Sequence, residues 1–197
     1  MVGHLMEDVD GVVLVDPPMH PDLPKWLHRM GGVGAIVLTT HDHTRGARYL
    51  SRAFQCPIYI PHQASPEAIR RAGITDPVPY DETTRLPVGL RPLRCRVRLP
   101  MWESQRPYLD EMMLIYKTHT VIVGDVVMGD DKGRLQACPE GFNDPADLVK
   151  VRASLTAFTE TLPSQVDILL ASHGTDLLKD LRTQMKYRDS MLPRSSR

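Results

Sequence analysis

Little in this chain suits covalent cross-linking, a membrane or a polyanionic partner. Its 197 residues include three cysteines, Cys56, Cys95 and Cys138, with no C-x-x-C pair among them. An odd, sparse set does not make a disulfide framework; it reads as small buried thiols in a reducing compartment. No apolar run approaches the ~20 residues that span a bilayer. The first ten residues carry His4, Glu7, Asp8 and Asp10 where a secretory leader would be apolar. A cytoplasmic location is therefore expected, with no membrane contact. Charge of one sign is also missing, since 24 Lys and Arg balance 24 Asp and Glu. Nucleic acid and anionic lipid surfaces usually demand a basic face, so neither is an expected partner. Aromatic residues are few, at 6%. There is no repeat of known period and no low-complexity segment.

What the chain does have is the composition of one soluble domain, 42% hydrophobic and 24% charged. Residues 1–197 are expected to form it, with 1–10 and 193–197 as flexible ends. Gly11–Val15 is a β-branched run that leads to Asp16 and stops at Pro17-Pro18, the pattern of a buried strand ending in an acid. Pro24 to Met30, followed by Gly31-Gly32, is punctuated as a short helix. Ala35–Leu38 is a second buried strand and runs into Thr39-Thr40-His41-Asp42-His43. The spacing of Ala47, Leu50 and Phe54 predicts a helix from Arg45. Pro57–Ile60 is a third strand, and Ser65-Pro66 opens another helix. Residues 74–89 read as loop with at most short strands. Arg94 to Leu99 alternates as a half-buried strand, its arginine row a solvated face. Met112–Tyr116 and Thr120–Val123 form a hairpin that ends in Gly124-Asp125. From Asp144, the stripe Leu148, Val151, Leu155, Phe158, Leu162 marks the longest helix. Val166–Ala171 is the last strand, followed by Ser172-His173-Gly174, and Leu177, Leu178, Leu181 and Met185 stripe a final helix. Strands in the first two thirds with two closing helices suggest sheets packed between helices.

Four polar sites follow the ends of predicted buried strands: Asp16, the His41-Asp42-His43 loop, Asp125 and His173. A lone His-Gly or Gly-Asp is ordinary turn chemistry. Four such sites at strand ends are where layered folds collect ligands and catalysts.

The order strand–Asp, strand–His/Asp cluster–helix, strand, Gly-Asp, long helix, strand–His-Gly resembles the metallo-β-lactamase superfamily, from about Gly11 to Tyr187. Its hallmark is H-x-H-x-D-H, and its fold an αββα sandwich. Its members mostly use one or two zinc or iron ions to hydrolyse esters, thioesters, lactams, lactones or phosphodiesters. Placing His41 and His43 on the first two motif histidines puts Arg45 and Gly46 where Asp and His belong, and leaves the run to Pro57 short. Placing Asp42 and His43 on the motif's Asp-His restores the spacing and puts Gly46 at the helix start. The second register is preferred. It sets Leu38 and Thr40 in the first two histidine positions, while the mid-chain histidine's place falls near Pro107. Thr39–Arg45 is similar to the T-N-x-D-H-x-R-like loop of a subset of the superfamily.

The resemblance thus implies a lost metal position and one surviving position made of Asp42, His43, Asp125 and His173. Two imidazoles and two carboxylates suit one divalent ion, zinc before iron or manganese. The implied activity is metal-dependent hydrolysis of a small ester, thioester or phosphodiester, with Asp42 or Asp125 holding water and accepting its proton. Arg45 would stabilise an oxyanion, Asp16 orient a ligand histidine, and His41 serve as a third imidazole or a supporting donor. Trp102 is a candidate pocket wall, with Trp26 the weaker candidate, and core packing is the preferred reading for both. The other histidines, His4, His20, His28, His62 and His119, are expected to face solvent. The competing reading is a noncatalytic binding or regulatory protein in which no metal binds and the same groups form a satisfied polar cluster. The family usually has one or two strands before the segment like Gly11–Asp16. Their absence would expose a sheet edge, for which a homodimer is the expected cover.

Overall fold

In a computed structural model of the chain, residues 2–9, 11–94, 111–137 and 158–186 are described. The strands are β1 (His4–Asp8), β2 (Gly11–Val15), β3 (Ala35–Val37), β4 (Ile58–Pro61), β5 (Val78–Tyr80), β6 (Arg91–Arg94), β7 (Met112–Tyr116), β8 (Thr120–Val123), β9 (Val127–Gly129), β10 (Leu135–Ala137) and β11 (Ile168–Ala171). The helices are α1 (Leu23–Arg29), α2 (Ala47–Phe54), α3 (Pro66–Arg71) and α4 (Leu181–Lys186).

One sheet runs β1-β2-β3-β4-β5 and a second runs β11-β8-β7-β6, with β9 and β10 as a separate pair. The period-two side-chain rule explains how they stack. Val13, Val15, Ala35 and Val37 of the first sheet pack with Met112, Leu114 and Ile122 of the second. Their chain neighbours Val12, Leu14 and Ile36 point the other way, towards Leu27 of α1, Ala47 and Leu50 of α2 and Ile69 of α3. Met113, Ile115, Val121 and Val123 likewise face Phe158, Leu162, Leu181 and Met185. Three apolar layers between helix, sheet, sheet and helix make the expected αββα sandwich.

Strands β2, β3, β4 and β5 pair in parallel, so their C-terminal ends share one rim. The second sheet adds the ends of β8 and β11, which are also parallel to each other. Most local expectations hold at this level. Ser65 caps α3, its Oγ accepting the Ala68 N–H at 3.3 Å. Gly46 caps α2, and a Cβ there would lie 2.4 Å from the Pro18 carbonyl oxygen. Only glycine lets the Pro17-Pro18 turn lie against the helix start.

Three expectations need correction. Residues 4–8 are not a loose end: they form β1, antiparallel to β2, so one strand does precede Gly11, and His4 is buried. The last helix begins at Leu181 rather than Leu177. Leu177 instead bridges Leu169 of β11, and Leu178 is 70% exposed. The strand expected from Arg94 to Leu99 meets β6 at Arg94, and its residues 95–99 lie outside the described set. Trp26 is 51% exposed and is not core. Trp102, Pro107 and most of the long helix from Asp144 also lie outside the described residues. No helix among the described residues is long and apolar enough to cross a membrane.

Candidate metal centre

Three side chains converge at the shared rim. His43 comes from the loop after β3, Asp125 from the turn after β8 and His173 from the turn after β11. The Asp125 Oδ1 atom lies 3.3 Å from His43 Nε2 and 3.0 Å from His173 Nε2. One ligand atom from each residue lies within 4.8 Å of the other two. The imidazole rings are 5.5 Å apart, centre to centre.

Asp16 anchors this group from below. It is fully buried, with a positive φ of 48°, a conformation that Asp adopts more readily than most residues. Its Oδ1 accepts the Thr39 N–H at 2.8 Å. Its Oδ2 accepts from Thr39 Oγ1 at 2.6 Å, His43 Nδ1 at 2.8 Å and Ser172 Oγ at 2.7 Å. One carboxylate therefore ties together the ends of β2, β3 and β11. Burial alone would raise its pKa, but the hydrogen bonds and charge of His43, with those of Thr39, outweigh it and hold the group below the usual range.

The Asp125 turn has its own clamp. Glu111 is buried, and its two oxygens accept the N–H groups of Gly124 at 2.8 Å and Asp125 at 2.7 Å. Burial, with the charge of Asp125, pushes its pKa up to about 8 against those two bonds. A Cβ on Gly124 would lie 2.7 Å from Thr39 Oγ1 and 3.2 Å from Glu111 Cδ, so the turn closes only around glycine.

His43 lies between two carboxylates, Asp16 at Nδ1 and Asp125 at Nε2. Burial opposes its charge, but the hydrogen bonds to Asp125 and Asp16 prevail and its pKa rises to about 10. His173 is shifted down by burial, only partly countered by Asp125. The donor set fits a divalent ion. A tetrahedral site with bonds of about 2.0–2.1 Å has edges of roughly 3.3 Å, close to the two separations above. With Nδ1 committed to Asp16, His43 offers Nε2, and ligation would displace the proton that Nε2 directs at Asp125.

The sequence-predicted residues divide accordingly. His43, Asp125 and His173 come together, and Asp16 orients a histidine of the trio. Asp42, expected as a fourth ligand, is not in the cluster. Its carboxylate is 40% exposed and lies 3.4 Å from Nε2 of the buried His41. The two residues pair with each other because the 40–43 turn, closed by His43 N–H to Thr40 O at 3.2 Å, sends Asp42 outward as His43 goes in. Arg45 is exposed; burial lowers its pKa while Asp16 and Asp125 attract its charge. Glu111, Thr39 and Ser172 were not foreseen as parts of the site. The one signal for Glu111 is an acid set directly against the apolar run of β7.

No family model matches the chain, and no curated protein matches it. Solved structures do. A protein described as TTHA1623 in a di-iron-bound form is 22% identical with a TM-score of 0.58, over 97% of this chain and 93% of that one. A metallo-β-lactamase from Pontibacter korlensis has a TM-score of 0.66 at 15% identity, over 96% and 85%. The metallo-β-lactamase FIM-1 from Pseudomonas aeruginosa, in a mono-zinc form, has 0.61 at 14%, over 96% and 81%. The fold of this chain is that of the metallo-β-lactamase superfamily.

Proposed function

We propose that this protein is a metal-dependent hydrolase of the metallo-β-lactamase superfamily with a reduced, mononuclear site. His43, Asp125 and His173 would hold the ion, zinc first, with iron or manganese as alternatives. The observation that carries this reading is the pair of imidazole Nε2 atoms on one oxygen of Asp125, with His43 fixed from behind by a buried carboxylate. The di-iron and mono-zinc forms of proteins with this fold support it.

When bound, a divalent ion supplies Lewis acidity, bringing the pKa of water it binds from 15.7 towards ~7. The chain's own groups do the rest. Asp16 keeps the Nδ1 proton on His43, so the ring faces the site with one fixed nitrogen. Glu111 holds Asp125 in place through two backbone N–H groups. Asp125 would accept a proton from attacking water. Arg45, already drawn by the charges of the site, stabilises negative charge that develops on an ester, thioester or phosphodiester oxygen.

The noncatalytic reading has its own support: Leu38 and Thr40, in the positions of the motif's first two histidines, are fully buried, and Asp42 turns away from the trio. A panel of chromogenic ester, thioester and phosphodiester substrates, with zinc, iron(II) or manganese(II) supplied, separates the two. Turnover lost to EDTA and to His173→Ala supports the hydrolase. Absence of turnover with every metal, or turnover insensitive to both changes, contradicts it.

A further inference from the structure

A second concavity lies further along the rim that carries His43. It is lined by Pro61, His62 and Gln63 at the end of β4, Tyr80 to Thr83 at the end of β5, Arg94 and Met112, and has a volume of about 200 Å³. Whole-ligand pockets usually run to ~300–1,000 Å³, so this one has room for one end of a ligand. Pro61, Tyr80 and Met112 are buried and form an apolar floor, while the polar residues around them are exposed. The floor is bonded to the segment that carries His43: the Tyr80 hydroxyl donates to Leu38 O at 2.7 Å, and the Met112 N–H to Thr39 O at 2.8 Å.

The pocket's donors and acceptors are unequally engaged. Asp81 Oδ1 already accepts the Thr83 N–H, the Thr83 hydroxyl and the Thr84 hydroxyl, at 2.9, 2.7 and 3.1 Å. Glu82 Oε1 accepts the Arg94 backbone N–H at 3.1 Å. Both acids are thus turned into the pocket's own framework. The Arg94 guanidinium and the His62 ring have no hydrogen-bond partner among the described residues. Arg94 brings five N–H groups in a rigid fork and His62 one or two more. His62 already feels the charge of Asp81, but donors without a hydrogen-bond acceptor, set over an apolar floor, still suit an acceptor-rich, compact partner.

We infer that this pocket binds a small oxyanionic group, a carboxylate or a phosphate, against the Arg94 fork and His62. Resting on the hydrolase reading, the substrate is then an ester or thioester whose far end carries that anion, held while the scissile bond lies at the trio.

Isothermal titration of EDTA-treated protein with glutarate, its neutral diamide and inorganic phosphate tests the pocket apart from any catalysis. Glutarate is expected to bind and the diamide not to. Arg94→Gln is expected to weaken binding by about tenfold or more, because a charge-assisted bidentate pair is lost, with Arg94→Lys in between. Phosphate binding in place of glutarate would identify the oxyanion as phosphate. Binding of neither at millimolar concentration, or equal binding by Arg94→Gln, would overturn the inference. Turnover without anion binding would leave the hydrolase and remove the pocket. Anion binding without turnover would do the reverse.

Discussion

Removing the Asp16 carboxylate is the sharpest perturbation the structure offers. Asp16→Ala would strip the acceptor from four donors: the Thr39 N–H and hydroxyl, His43 Nδ1 and the Ser172 hydroxyl. Breaking a buried charged pair from one side costs about 3–5 kcal/mol, because the remaining partner stays buried and uncompensated. Alanine at φ 48° adds about 1–2 kcal/mol of backbone strain. The expected loss is about 4–7 kcal/mol, comparable with the ~5–15 kcal/mol stability of a whole domain. Asp16→Asn separates positioning from folding, because it keeps the shape, one oxygen for Thr39 and a residue that tolerates positive φ. Its amide meets His43 Nδ1 as a donor and drives the ring proton to Nε2, the atom that would ligate. Metal affinity should then fall by about 10–100-fold. Urea unfolding of the metal-free variants and zinc competition against a chromophoric chelator read the two effects. Zinc affinity unchanged in Asp16→Asn, or an Asp16→Ala loss below about 1 kcal/mol, would refute the reasoning.

Other outcomes follow from the same geometry. Glu111→Ala leaves one buried and one half-buried N–H group without acceptors and should cost about 2–4 kcal/mol in urea unfolding, with weaker metal binding; a loss seen in neither would contradict the clamp. Gly124→Ala forces a Cβ to 2.7 Å from Thr39 Oγ1 and should destabilise by about 1–3 kcal/mol, whereas a neutral effect would mean that the turn is loose. His43 has a folded pKa of about 10, above its ordinary 6.5. Its contribution is full below pH 6.5 and lost as pH rises towards 10, so the metal-free urea midpoint should fall across that window. Saturating zinc should remove this slope, since ligation needs the deprotonated ring, and a flat metal-free midpoint would contradict the paired imidazolium.

Strand periodicity and the polar residues that end each strand were readable because both are local. Val13 and Val15 against Val12 and Leu14, or Ile122 against Val121 and Val123, assign faces by alternation alone. The register that places His43 in the Asp-His pair rests on chain spacing, as does the glycine at the start of α2, and the packing of Gly46 on Pro17-Pro18 agrees with it. What the sequence hid is long-range. The Ser172 bond to Asp16 crosses most of the chain, and the Glu111 clamp is made by a carboxylate with no motif around it. Asp42 lies outside the trio for a local reason that composition does not carry: in a tight turn, adjacent side chains point apart, and His43 takes the inward direction. Leu177 fits a helical stripe by spacing yet joins β11 by a bridge, since tertiary pairing decides where a short helix starts.

The most direct test of the central claim is the metal content of purified, untagged protein after desalting, measured by elemental analysis beside His173→Ala. About one zinc, iron or manganese per chain is expected, with its loss in the variant. Metal near zero in the unaltered protein, even after zinc is added and the protein desalted again, would contradict it.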